Sequence, residues 1–454
     1  MISKALHQKL LLPVQMEVAK NFGGEKEEPY YNPGDIAYGE TVFPLVLSGG
    51  QTLRFTVVNL YQNWGNYPLK QLSSIQYIAP YYHLSTGVTE TSCIAPWYVH
   101  GKSLWTLPDF RPMSAPFWYE MTGEYLSYQP QHTHGGYQDF LQYTDADGND
   151  YASENISNVI SSAGPTYASV DMTYLSDDGR IKVTYTQTEM PQTDEHRVYY
   201  EMTYEVLEDI SFKDFKSDFS FYSAYAYAGK YRTVGYLDEN NQFVTANTVA
   251  SARKTFVTLG DACPYFALYH FSEDAHTGFI DNGNNTNLGC SIHSYDFTIG
   301  GEKYEGNLVM VLAKYGAGLT LDLGEVTLKK GDTMTINMVI GPWGYQLSED
   351  DANVRAIRED SCLNPLTVEV TDGEKLDSVF LPKVLSTNGK TAEFTLSGGA
   401  NHVAVRVYGF DKLTAPKIYE KIDGQWVEYD VSSAKNMDKR GNYHYYDGYA
   451  VFYE

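Results

Sequence analysis

Cysteine is scarce in this chain of 454 residues: Cys93, Cys263, Cys290 and Cys362, with no CxxC pair among them. That spacing argues against a zinc ribbon or a dithiol redox motif. It leaves two readings open, one or two disulfides or four buried thiols. Cations are short too, with 33 Lys and Arg against 57 Asp and Glu and a formal net charge of -24. Nucleic acid needs a basic patch and an anionic membrane surface attracts cations, so neither is expected as a partner. No apolar run approaches the roughly 18 residues of a membrane span, so no membrane insertion is expected. The first residues show neither an apolar core nor a small-residue cleavage site of a secretory leader. The GxxxxGK[ST], GxGxxG and GxSxG patterns are missing, which leaves nucleotide and serine-hydrolase chemistry without support. No cofactor is expected.

What the chain has in quantity is aromatic residues: 40 Tyr, 20 Phe and 6 Trp. Tyrosine favours strands and combines a flat apolar face with a polar tip. Exposed strand surface accounts for most of these tyrosines, and a subset reads as stacking platforms for sugar rings. The acidic balance would repel a uronic-acid polymer at long range, so a glycan partner is expected to be neutral rather than polyanionic.

Strand patterning dominates. In His196–Val206, Val198, Tyr200, Met202, Tyr204 and Val206 alternate with Arg197, Tyr199, Glu201, Thr203 and Glu205, which gives one buried and one wet face. Thr333–Val339 alternates in the same way, and Leu308–Leu312 is continuously apolar, as a strand covered on both faces would be. Turn pairs such as Asp147-Gly148 and Asp178-Gly179 recur between these runs. Asp145–Asp150 has the wrong Gly position for an EF-hand and reads as a hairpin turn. One helix is predicted over Ser348–Glu359, with Ser348 as N-cap and Asn364-Pro365 ending it. After Pro365 short strands resume. The boundaries are therefore a large antiparallel sandwich over 1–345, a helical linker over 346–364, and an Ig-like β-sandwich over 365–454 that lacks about one strand. The final residues read as an unfinished strand, so the chain is expected to be part of a longer one, with any export signal outside it.

Four of the six tryptophans (Trp64, Trp97, Trp105 and Trp118) and four of the 11 histidines (His83, His100, His132 and His134) fall within Tyr61–Tyr143. The stretch is rich in Pro and Gly loops, where sites on rigid scaffolds tend to sit. The alternative is that these rings fill a corner between two sheets. On a strand, His132 and His134 point to one face. Both could then meet one sugar or, with Glu90, Asp139 or His83 as a third ligand, one metal. No metal is assigned, because nothing in the spacing demands it. Histidines and carboxylates titrate where acid–base chemistry needs them, so His100, His132, His134, Glu90 and Glu120 are the catalytic candidates. Trp64, His83, Trp97, Trp105, Arg111, Trp118 and Tyr137 are the substrate-binding candidates.

On its size, its β patterning, the Asn63-Trp64-Gly65-Asn66 turn and the histidines at 100 and 132–134, the first 345 residues resemble the galactose-mutarotase-like supersandwich. That fold is shared by sugar epimerases and by domains of many glycoside hydrolases and polysaccharide lyases. The resemblance implies an all-β fold: a large antiparallel β-supersandwich, then the helical linker and the smaller Ig-like sandwich. It implies a His acid, matched in position by His100 and by His132 or His134, and a late Glu base, for which Glu302, Glu305 and Glu325 are the candidates. The trailing module resembles accessory modules of secreted bacterial glycan-acting proteins. The expectation is a secreted bacterial carbohydrate-active protein, extracellular or at the cell surface, acting on a glycan as a hydrolase or lyase. The alternative is a non-catalytic glycan-binding or adhesive surface protein.

Overall fold

A computed structural model describes residues 137–163, 168–189, 197–225, 231–248, 254–260, 263–269, 287–313, 316–343, 351–399, 404–411 and 417–429. It also describes the separate strands Gln15–Lys20, Ala37–Val42, Ser74–Ile78, Tyr81–Ser85, Thr89–Ile94, Phe110–Pro112, Phe117–Tyr119, Glu124–Leu126, Tyr443–Tyr446 and Tyr449–Tyr453.

The described chain is all-β. A ten-stranded sheet runs in the order Ser153–Ala163, Ala168–Ser176, Ile181–Glu189, Val198–Val206, Thr333–Trp343, Asn287–Ile299, Tyr265–Tyr269, Thr233–Leu237 and Phe243–Asn247, with Glu302–Lys303 paired off this path. Its pairings are antiparallel. Opposite it lies a five-stranded antiparallel sheet of Thr255–Thr258, Leu308–Ala313, Gly316–Leu321, Ser223–Tyr225 and Tyr137–Asp139. One core joins them. Tyr200, Met202, Tyr204, Met334, Ile336 and Met338 from the large sheet meet Leu308, Met310, Leu319 and Leu321 from the smaller one. Period two therefore does what the sequence predicts: Val198, Tyr200, Met202, Tyr204 and Val206 are buried, while Thr203 and Glu205 are exposed. Leu308–Ala313 is buried on both faces up to its last residue, as its unbroken apolar run requires.

Two expectations need correction. The described tyrosines are interior far more often than exposed: eight of the ten largest fully buried side chains are Tyr. Burial of a phenol is tolerable because its hydroxyl finds a partner. Tyr204 donates to the Phe221 carbonyl at 2.8 Å, Tyr200 to Gln138 at 3.0 Å and Tyr185 to Gln187 at 2.5 Å. The Tyr204 and Tyr200 bonds cross the core, so the hydroxyls stitch its two sides together. Tyr222 differs, because its buried hydroxyl meets no partner among the described residues. Tyr204→Phe is expected to cost about 1 kcal/mol, while Tyr222→Phe costs nothing or stabilises. Urea unfolding of the two variants checks this, and equal losses would refute the distinction.

The second correction concerns the helix. It spans Ala352–Arg358, with Asp351 rather than Ser348 at its N-cap, and continues as a π-helix over Glu359–Leu363 with Asn364 as C-cap. It is not a free connector. Val354 packs with Leu237, Tyr265, Ala267 and Tyr269 on the face of the large sheet that points away from the core. Tyr265 donates to Asp351, and Arg355 grips the same carboxylate. Asp351, which is buried, thus holds two side-chain partners at the start of the helix, while Ser348 lies outside the described residues.

Beyond Pro365, Thr367–Asp372 pairs with Glu393–Ser397, and a five-stranded sheet runs Glu374–Leu376, Lys383–Leu385, Ala404–Tyr408, Tyr449–Tyr453 and Tyr443–Tyr446. Lys383–Leu385 and Ala404–Tyr408 pair in parallel, unlike the other pairings of this region. A small core of Val368, Val384 and Val407 holds the module.

Candidate functional site

The face of the large sheet opposite the core opens row by row. By register, Ser169, Thr188, Tyr199, Val339 and Ser291 form one cross-strand row, and all are buried. Their cover is the segment that follows the sandwich. Phe380 lies 5.1 Å from the Tyr199 ring and 5.2 Å from His293. Arg197 pairs with Asp360 at 2.6 Å. The Ser361 carbonyl meets His293 Nδ1 at 2.6 Å. A disulfide, Cys263–Cys362, locks this roof to the residues that lead into Tyr265–Tyr269, an interior strand of the large sheet. Tyr199 stands on the side the alternation assigns to water, and the roof makes it interior. The disulfide also decides between the two readings of the cysteines for one pair, while Cys290 is a buried free thiol.

Two residues further along each strand, the next row is Asp171, Thr186, Glu201, Asn337 and Ser294. Here the roof ends. Asp171, Thr186 and Glu201 are half-buried and Ser294 is exposed. The following row, Thr173, Thr184, Thr203 and Thr335, is open or nearly so. The result is a half-open strip, or groove, of hydroxyl, amide and carboxyl groups, with Lys383 and Arg406 of the trailing module within electrostatic reach of Glu201. Thr186 donates to Asp171 at 2.7 Å and Asn337 donates to Ser294 at 3.1 Å. Burial pushes the Glu201 carboxyl above its ordinary range, against the pull of Lys383 and Arg406, with Asp171 adding to the rise. Neither the Glu201 carboxyl nor the Lys383 ammonium has a side-chain hydrogen bond or ion pair among the described residues, and Lys383 acts on Glu201 through its charge alone. Asp171 and Glu201 against Lys383 and Arg406 make the floor nearly neutral in a chain of net charge -24.

A second polar cluster, at the Ser176–Ile181 turn, is saturated. Asp178 accepts from Tyr143 at 2.6 Å, from Ser176 at 2.6 Å, and from Arg180 through Nε at 2.5 Å and its backbone N at 3.0 Å. Arg180 also reaches Asp145 at 2.9 Å, whose other oxygen accepts from the Asp147 and Asn149 amides. Asp145–Asp150 is thus the hairpin turn its sequence predicts, with its first carboxylate committed to Arg180. Every group is consumed by another, so this cluster is a clamp rather than a site.

The candidates read from sequence fall elsewhere. His83, Glu90 and Arg111 lie on three adjacent strands of a four-stranded antiparallel sheet, where Glu90 is the register partner of both Ser85 and Arg111. Trp118 lies on Phe117–Tyr119, which among the described residues pairs only with Glu124–Leu126, and Tyr137 is the register partner of Tyr225 in the five-stranded sheet. Trp64, Trp97, His100, Trp105, Glu120, His132 and His134 lie outside the described residues. Glu302, Glu305 and Glu325 are all exposed. Among the described residues, no group of three His, Cys, Asp or Glu could hold a metal. No described helix is long and apolar enough to cross a membrane.

Sequence reasoning missed Glu201 because it sat in an ordinary wet-face alternation. Its neighbours Asp171, Thr186 and Asn337 come from distant positions, and only the register brings them into one row.

No family model matches the chain. No curated protein matches it. Among solved structures it is similar to the GH36 α-galactosidase AgaB of Geobacillus stearothermophilus, at 9% identity and TM-score 0.34, over 60% of this chain and 41% of that one. It is similar to the α-galactosidase of Lactobacillus brevis, at 8% identity and TM-score 0.32, over 58% and 39%. It is also similar to Slr1438 of Synechocystis sp. PCC 6803, at 10% identity and TM-score 0.28, over 63% and 100%. The chain spans less than half the length of the two α-galactosidases, and no residue role is carried over from any of the three.

Proposed function

We propose that this is a carbohydrate-active protein that binds a neutral glycan in the groove along the Asp171–Thr186–Glu201–Asn337–Ser294 row. The observation that carries the reading is the half-open row itself. A sheet face sealed by the roof for one row becomes, in the next, a strip of donors and acceptors with balanced charge. Sugar hydroxyls both donate and accept, so a strip of Thr, Asn, Ser and carboxyl groups complements them. The near-neutral floor suits a neutral chain better than a uronate polymer. Glu201, a carboxyl whose pKa burial raises and which the register sets among hydroxyl and amide groups, is the groove's candidate proton donor to a glycosidic oxygen, which favours hydrolysis over lyase chemistry. The supersandwich resemblance and the domain boundaries at 345 and 365 belong to this reading. So does an extracellular or cell-surface location, which the Cys263–Cys362 pair supports because disulfides persist in oxidising compartments.

The test is Glu201→Ala and Glu201→Gln assayed on a panel of neutral oligosaccharides by calorimetry and by release of reducing ends. Glu201→Ala is expected to weaken binding about tenfold or more, equivalent to about 1.4 kcal/mol. Stability should move the other way. A carboxyl whose folded pKa is raised favours the folded state only while protonated, and that contribution is lost as pH rises through the raised value. At pH 7 Glu201→Gln should therefore leave the melting temperature unchanged or raise it. Unaltered affinity in both variants would remove Glu201 from the site.

A further inference from the structure

Six large hydrophobic residues are strongly exposed among the described residues, and four of them, Tyr419, Ile422, Trp426 and Val427, lie on one hairpin. Among the described residues, Ile418–Ile422 and Gln425–Tyr429 pair only with each other. Asp423 and Gly424 both have positive φ, 49° and 79°, as the tight turn of a two-residue hairpin requires. Scattered exposed apolar residues are ordinary, but a concentrated patch marks an interaction surface.

The register divides the hairpin into two unlike faces. Tyr419 is opposite Glu428 and Lys421 is opposite Trp426, so both aromatic rings share one face. Ile422 and Val427 belong to the other. On the aromatic face Lys421 Nζ lies 5.2 Å from the Trp426 ring centroid, and Lys417 pairs with Glu428 at 3.0 Å. Tyr419 and Trp426 are diagonal neighbours, about 7–8 Å apart. That spacing lets them engage successive rings of one chain.

We propose that this aromatic face is a second carbohydrate-docking surface, one that takes a neutral polysaccharide chain and is distinct from the Glu201 groove. Aromatic faces stack on the apolar C–H faces of sugar rings, while the Lys421 ammonium and the Glu428 carboxylate supply hydrogen bonds at the edge. Charge selects the occupant. The hairpin carries Lys417 and Lys421 against Glu420, Asp423 and Glu428, so it has little net field of its own, and the whole chain carries -24. A second copy or a polyanion is repelled at long range, whereas a neutral polymer is not.

The full chain is tested by retention on insoluble cellulose, curdlan, starch and xylan, with pectate and alginate as polyanions, alongside gel filtration over a range of concentrations. Wild type is expected to be retained on at least one neutral polymer. Trp426→Ala and Tyr419→Ala should each reduce retention about tenfold, while Val427→Ala on the opposite face leaves it intact. The proposal is overturned if no neutral polymer retains wild type or if Trp426→Ala is retained like wild type. It is also overturned if Val427→Ala loses retention equally, if the polyanions are preferred, or if the hairpin proves to be a self-association surface that Trp426→Ala disrupts.

Discussion

Asp178→Ala is expected to destabilise the sandwich by about 2–4 kcal/mol. The reason is the number of donors left behind. Tyr143, which is 3% exposed, loses its partner, and so do Ser176 and the Arg180 side chain. Arg180 keeps Asp145, so the turn loosens without leaving a cation wholly unpaired. Burial by itself would raise the Asp178 carboxyl, but the Ser176, Tyr143 and Arg180 donors outweigh it and hold the pKa below the ordinary range. Asp145 is lowered in the same way, its burial outweighed by the Asn149, Arg180 and Asp147 donors. A depressed folded pKa means that the stability is fully present above the unfolded value, about 3.9, and is lost as pH falls through the folded one. Acid unfolding of wild type should therefore begin below about pH 4, and Asp178→Ala should flatten that limb. A pH series of thermal melts reads both effects. An Asp178→Ala protein that melts like wild type would show the clamp to be ornamental.

Breaking the Cys263–Cys362 disulfide is the second large change. The bridge closes 99 residues of sequence. Cross-linking so long a loop removes much entropy from the unfolded chain, for a typical stabilisation of about 2–4 kcal/mol. Cys362→Ser, or reduction by dithiothreitol, should lower the melting temperature accordingly, while Cys290→Ser, at a free buried thiol, keeps the bridge and should respond to reductant as wild type does. The bridge also matters for the groove. It pins the roof beside the Arg358 bond to the Cys263 carbonyl, and the roof forms one wall. Reduced protein should consequently show faster hydrogen exchange at His293 and along Glu359–Leu363, with weaker glycan binding. Identical melts and exchange in oxidised and reduced protein would show that the roof holds without it.

The all-β class was legible because period two is a local property: alternation in Val198–Val206 and an unbroken apolar run in Leu308–Ala313 report burial directly. The end of the helix at Asn364-Pro365 was legible for the same reason, since a residue before proline is pushed out of the helical region. Its start was not, because Asp351 is recruited by Tyr265, 86 positions away.

The sequence by itself determined which faces are apolar, where the turns fall, and which partners the charge balance disfavours. Tertiary structure alone decided that Tyr199 is roofed, that Cys263 meets Cys362, and that Glu201 stands in a half-open row with Asp171, Thr186 and Asn337. Alternation tells a strand that it has two faces, but what covers the second face depends on register and on a segment more than a hundred residues further along the chain. The aromatic and histidine concentration in Tyr61–Tyr143 remains a property of the sequence. The groove and the hairpin are properties of the fold.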